Sequence, residues 1–127
     1  MCRVIDDADR YRVYNKRFLT ARRIHRCVEC GRTIATGETY ERVQAMYDGV
    51  WDKFATCAHC CTGHAWMQQN CGAVMHENLM QDLTEHAEEF RQSGFGLRRI
   101  LVGMRRKWRW PDGRMMPPPK MPAAIGV

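Results

Sequence analysis

The sequence predicts an α+β protein: a small metal-stapled unit of knuckle, β-hairpin and helix, followed by two amphipathic helices. Three observations predict it. Two Cys-x-x-Cys pairs, Cys27 with Cys30 and Cys57 with Cys60, stand 26 residues apart. An Asp48-Gly49 dipeptide separates two strand-like stretches, and such a pair favours a two-residue hairpin turn because both positions tolerate positive φ. Beyond residue 72, apolar residues recur twice at helical spacing.

The chain has 127 residues, 45% of them hydrophobic and 27% charged, a globular composition large enough for one domain with extensions. It is too short for a TIM barrel, and it lacks the Gly-rich phosphate loop of a Rossmann enzyme. No apolar run approaches the roughly 18–20 residues that cross a bilayer. The opening stretch MCRVIDDADRYRVYNKRF has no apolar signal region, so a cytoplasmic protein is expected. The overall charge of +6 conceals blocks. Residues 1–26 carry eight Lys/Arg against three Asp, residues 61–90 carry five acids and no Lys or Arg, and residues 91–110 carry seven Lys/Arg and no acid. Such asymmetry suggests an acidic partner for at least one basic block.

The elements follow in order. Residues 1–24 read as a basic arm, in which Arg10, Arg12, Lys16, Arg17, Arg22 and Arg23, with Arg26 just beyond, are interleaved with Tyr11, Tyr14 and Phe18. That mixture suits a phosphate backbone with stacked bases, and equally suits aromatic anchors that tie a solvated segment to the domain.

Residues 25–71 form the metal unit. Seven cysteines in a chain without an export signal read as ligands before disulfides, and the odd count argues against a disulfide framework. A Cys-x-x-Cys turn supplies two thiolates along one edge of a tetrahedron, and a second pair closes it around one structural Zn2+. Cys27, Cys30, Cys57 and Cys60 are therefore the expected ligands. Cys61 competes with Cys60, and His59, His64 and His25 are weaker substitutes. Cys2 and Cys71 read as buried or idle thiols, and a second metal on Cys61, His64 and Cys71 is the weaker reading.

Gly31 allows the tight turn after the first pair. Residues 38–47 read as a strand and residues 50–56 as its return, which sets Met46 opposite Trp51 and Val43 opposite Phe54 on opposite faces. Thr56 is the expected N-cap of a helix whose first turn carries Cys57 and Cys60, with Gly63 as a blemish in it. Knuckle, hairpin and ligand-bearing helix in that order define a treble-clef zinc finger.

The stretch HRCVECGRTIATGETYERV…DGVWDKFATCAHC resembles a group of small bacteriophage and prophage zinc-finger proteins over residues 25–60, and LRRILVGMRRKWRWPDGRMMP is similar to the tail of that group. The resemblance implies a phage-derived protein inside a bacterial host cell and supplies no activity.

Residues 72–110 hold the helices. In the first, residues 73–92, Met75, Leu79, Met80, Leu83, Ala87 and Phe90 share one arc, Glu77, Asp82, Glu85, Glu88 and Glu89 lie opposite, and Ser93-Gly94 ends it. In the second, residues 97–110, Leu97, Ile100, Leu101, Met104 and Trp108 share one side, while Arg98, Arg99, Arg105, Arg106 and Arg109 cluster on another, until Pro111 stops it. The acidic and basic arcs could meet across a hairpin. Burial of the apolar arcs dominates that choice, because exposed ion pairs contribute only about 0–1 kcal/mol each, so the Arg arc is expected to stay exposed. Guanidinium groups fit phosphate, and Trp110 beside them could stack on a base. Residues 111–127 are Pro-rich and read as extended or disordered.

No catalytic set accompanies these features: no H-E-x-x-H, no deaminase-type H-x-E with P-C-x-x-C, and no His at the end of the first hairpin strand, as HNH nucleases need. A non-enzymatic protein is expected. It binds the DNA or RNA phosphate backbone through Arg98, Arg99, Arg105, Arg106, Arg109, Trp110, Arg22 and Arg23. Docking on an acidic surface of a host protein complex is the alternative reading, and an HNH-like nuclease is a distant third.

Overall fold

The Asp48-Gly49 turn sets the central hairpin. In this computed structural model, which describes residues 13–89 and 91–122, both turn residues have positive φ, 50° and 77°. The flanking strands pair antiparallel, with Met46 opposite Trp51 and Val43 opposite Phe54. We label the strands β1 (Val13–Thr20), β2 (His25–Arg26), β3 (Thr33–Ile34), β4 (Thr39–Tyr47) and β5 (Val50–Cys57). The helices are α1 (Ala58–Cys71), α2 (Leu79–Glu89) and α3 (Arg91–Arg105). Strands β1, β4 and β5 form one antiparallel sheet in that order, and β2 and β3 form a two-stranded knuckle. The described residues are thus α+β, a small antiparallel sheet with three helices.

Part of the basic arm is sheet. Residues 13–20 add an edge strand to β4, with Arg17 opposite Arg42 and Phe18 opposite Glu41. Strand alternation then sorts the side chains. Tyr14, Lys16, Phe18, Glu41, Val43, Phe54 and Thr56 share one face, and Arg17, Leu19, Tyr40, Arg42, Lys53 and Ala55 share the other. Arg10, Tyr11, Arg12 and Cys2 lie outside the described residues.

The helix boundaries differ from the expected ones for identifiable reasons. Cys57, not Thr56, caps α1: Thr56 stays in β5 opposite Glu41, and the Cys57 Sγ accepts the Cys60 N–H. The helix ends at Gly72, whose left-handed φ of 69° turns the chain. The first amphipathic helix therefore starts at Leu79 rather than 73, after a loop in which Glu77 has φ 71° and the Asn78 carbonyl receives the Asp82 N–H. The second spans Arg91–Arg105, not 97–110, and runs through Ser93, Gly94 and Gly96. Gly96 lies so close to Pro122 that an added Cβ would come within 2.8 Å of that ring, so the tail covers this point of the helix. The helix stops six residues before Pro111, because Lys107 and Trp108 adopt positive φ and fold the Trp108 ring onto Gly103.

The apolar arcs meet as expected. Leu79, Leu83 and Ala87 of α2 and Leu97, Ile100, Leu101 and Met104 of α3 are buried with Trp66, Met67 and Trp108 in one core. Phe90 lies outside the described residues, and Met75 sits in the loop before α2. Gly63 is a packing requirement rather than a blemish, since a Cβ there would come within 2.9 Å of Leu79. A smaller cluster of Val43, Ala45 and Phe54 lies under the sheet. No helix is long and apolar enough to cross a membrane among the described residues.

Candidate metal centre

Four sulfurs converge where the knuckle meets the start of α1. The Sγ atoms of Cys27, Cys30, Cys57 and Cys60 all lie within 4.8 Å of one another, and Cys30 and Cys57 are 3.9 Å apart. All four are free of disulfides; three are buried and Cys30 is half-buried. Zinc–sulfur bonds of about 2.3 Å would place tetrahedral sulfurs roughly 3.8 Å apart, so the four residues can hold one metal ion of the zinc class.

The knuckle is built by backbone bonds that leave the thiols pointing inward. The Cys27 N–H donates to the Arg32 carbonyl, and the Gly31 N–H, at φ 78°, donates to the Cys27 carbonyl. The Val28 N–H donates to the Ala55 carbonyl and fastens the knuckle to β5. Further N–H groups aim at sulfur: Cys57 N–H at Cys27 Sγ (3.3 Å), Cys60 N–H at Cys57 Sγ (3.5 Å) and the Trp108 indole at Cys60 Sγ (3.4 Å). Such donors stabilise thiolate and suit ligand atoms.

The chemistry of the donor set agrees. Hydrogen bonding from Cys30, Cys57 and Cys60 holds the Cys27 thiol far below the ordinary range. Its neighbour Cys27, with Cys30, Cys57 and burial, holds Cys60 far above it. Four buried sulfurs cannot all carry charge together unless a cation neutralises them.

A polar clamp supports the centre. Arg32 forks onto Glu38 (2.8 and 3.2 Å) and also lies 3.3 Å from His59 Nδ1. His59 Nε2 donates to the Met116 carbonyl at 2.6 Å, which leaves Nδ1 to accept from Arg32. Burial lowers the His59 pKa, in keeping with a neutral ring. The substitute ligands are engaged elsewhere. His59 packs on Trp108, His25 stacks on Tyr40, and Cys61 points its thiol at the Thr56 carbonyl. Cys61, His64 and Cys71 do not form a group: Cys71 Sγ lies 3.0 Å from His86 Nε2, and Cys71 is disulfide-bonded rather than an idle thiol.

The expected binding residues fall on separate surfaces. Arg98, Arg99 and Arg105 are exposed on α3 and Arg106 is exposed in the turn just after it, whereas Arg109 and Trp110 lie farther from the helix in the turn bridged by Arg109 and Met115. Arg98, Arg99 and Trp110 border a groove with Pro117, Pro118 and Pro119. Arg109 instead joins Lys107, Arg26 and Gly31 in a cleft beside the knuckle. Arg22 and Arg23 line an adjoining cleft with Arg17, Arg42, Lys53 and Tyr40, and the two clefts share His25 and Arg26. Among the described residues, no carboxylate lines either cleft. Arg42 and Lys53 were missed from the sequence, although the register of the Asp48-Gly49 hairpin already puts both on one face. Trp108 is a sulfur-facing donor whose role only the reversal after α3 reveals.

No family model matches the chain, and no curated protein or solved structure matches it.

Proposed function

We propose that the protein is a zinc-stapled, treble-clef-like binding module that grips the phosphate backbone of a nucleic acid through the two basic clefts flanking its knuckle. The observation that carries this reading is the lining of those clefts: Arg17, Arg22, Arg23, Arg26, Arg42, Lys53, Lys107 and Arg109 converge there, and among the described residues no carboxylate joins them. Clustered cations repel one another, and a polyanion relieves that repulsion by releasing its own counterions. His25, half-buried and stacked at 4.6 Å on the buried Tyr40, adds an aromatic face beside the cations. The exposed Arg98, Arg99 and Arg105 of α3, with Arg106 just beyond its end, extend the field without forming part of either cleft.

The zinc is structural in this reading. Four thiolates complete a tetrahedron and leave no open position, so the module binds rather than catalyses. The four thiols of the metal set are free of disulfides, which suits the reducing cytoplasm of a phage host that the sequence resemblance implies, whereas the disulfide at Cys71 stands against it.

The test is binding of the full chain to duplex and single-stranded oligonucleotides across a salt series. Affinity should fall steeply with salt. Changing Arg22 and Arg23 together, or Arg17 and Arg42 together, to Glu should weaken binding at least tenfold and flatten the salt slope by about two. Charge reversal at Arg98 and Arg105 should have the smaller effect. Absence of binding at low salt would overturn the proposal. Nuclease-resistant recovery of a single host protein would then favour docking on an acidic protein surface.

A further inference from the structure

On the face of the sheet opposite the basic clefts, Glu41 of β4, His64 of α1 and His76 of the loop before α2 meet in the interior. We propose that these three side chains form a second metal site, separate from the four-cysteine centre, for a borderline divalent ion such as Zn2+ or Co2+. The inference does not depend on the nucleic-acid reading.

The geometry is that of a ligand set. One donor atom from each residue lies within 4.8 Å of the others. Glu41 Oε1 is 3.9 Å from His64 Nδ1 and 3.9 Å from His76 Nε2. Bonds of about 2.1 Å to one ion would set such donors roughly 3.4 Å apart, so Glu41 needs to close on each histidine by about half an ångström. The side chains are 5%, 6% and 1% exposed for Glu41, His64 and His76. Two imidazoles and a carboxylate match the ion class proposed, and three protein ligands leave coordination open.

A second, independent observation points to a ligand. His64 Nδ1 is a buried nitrogen with no hydrogen-bond partner, aimed into the cluster. Its other nitrogen explains why. Nε2 donates to Glu29 Oε2 at 2.6 Å, and that carboxylate is itself held by the backbone N–H groups of Glu77 (3.1 Å) and Leu79 (3.2 Å). A carboxylate that takes the Nε2 proton leaves the Nδ1 lone pair for an ion, the carboxylate–histidine–metal arrangement. Glu29 lies between Cys27 and Cys30, so the knuckle itself orients this histidine.

The rest of the site is equally arranged. The second oxygen of Glu41 faces Lys16 at 4.0 Å, which reserves Oε1 for the histidines. His76 stacks on Phe54 at 4.7 Å with rings 13° apart and meets His64 edge-on at 5.1 Å, which fixes both rings. The trio borders a cavity of about 570 Å³ that Tyr14, Lys16, Phe18 and Gln68 also line, giving an ion a route in.

The experiment is cobalt binding to the reduced full chain. The first equivalent should bring the intense near-ultraviolet absorption of thiolate-bound cobalt. A second should add only weak visible bands, and dialysis equilibrium at fixed free metal should give two ions per chain. Glu41→Gln and His76→Gln should each retain the thiolate absorption and bind one ion, with second-site affinity down at least tenfold. Saturation of the unaltered protein at one ion overturns the proposal and leaves a charged His64 between two carboxylates. Two ions bound by both variants, with thiolate absorption intact, also overturn it. If one variant loses the thiolate absorption, the other and the unaltered protein decide.

Discussion

Trp108 holds two jobs that no exposed tryptophan could. Its indole N–H reaches Cys60 Sγ, and its ring rests on Gly103, where an added Cβ would come within 2.1 Å of Cζ3. Gly103→Ala should therefore eject the ring, destabilise the fold by about 1–3 kcal/mol and lower the melting temperature, which calorimetry checks. Trp108→Phe keeps most of the ring volume and removes the donor, so chelators should extract the metal faster with little change in helix content. Asp82 offers a pH test. Burial raises its carboxyl to about 6, against the hydrogen bond from Asn78 at 2.8 Å. A raised acid binds its proton more tightly when folded. Its contribution is thus fully present below about pH 4 and declines as pH rises from about 4 to 6. Asp82→Asn should remove that decline, read as denaturant midpoints across the window.

Among the elements, β4–β5 and the apolar faces of α2 and α3 were legible, and their limits were not. The Asp48-Gly49 pair carries its own register, because positive φ at both positions permits only a tight turn. The stripe Leu79, Leu83 and Ala87 carries its own face, because helical spacing is local. The start of α2 is set from outside: Glu29, some fifty positions earlier in the chain, accepts the Leu79 and Glu77 N–H groups. Glu29→Ala should fray this helix start, visible as faster hydrogen exchange at Glu77 and Leu79 than in the rest of α2. The end of α3 was equally hidden, since two non-glycine residues with positive φ obey the docking of Trp108 rather than their own preference. Because the helix ends early, the five arginines projected onto one arc are divided, and Arg109 turns towards the knuckle. From sequence alone β1 is only a basic arm, because its alternation of charged and aromatic residues gains meaning from pairing with β4.

For the molecule as a whole, the two faces of one sheet are assigned opposite chemistry. One face presents Arg17, Arg42 and Lys53 to the clefts, and the other buries Glu41 against His64 and His76. The knuckle joins them: Arg26 enters both basic clefts, and Glu29, three residues on, orients His64. The four-cysteine ligand set was legible because paired thiols announce themselves by spacing. The Glu41–His64–His76 set was not, because its members come from a strand, a helix and a loop. A small domain has little apolar burial in reserve, and structural zinc can supply about 10–16 kcal/mol of apparent folding free energy. On the function proposed above, one ion on Cys27, Cys30, Cys57 and Cys60 holds knuckle, hairpin and α1 together. The most direct measurement is circular dichroism of the reduced full chain during graded metal chelation, with released zinc counted in parallel. Helical signal and cooperative melting should vanish in step with loss of the thiolate-bound ion; a metal-free chain that keeps both in full would refute the staple.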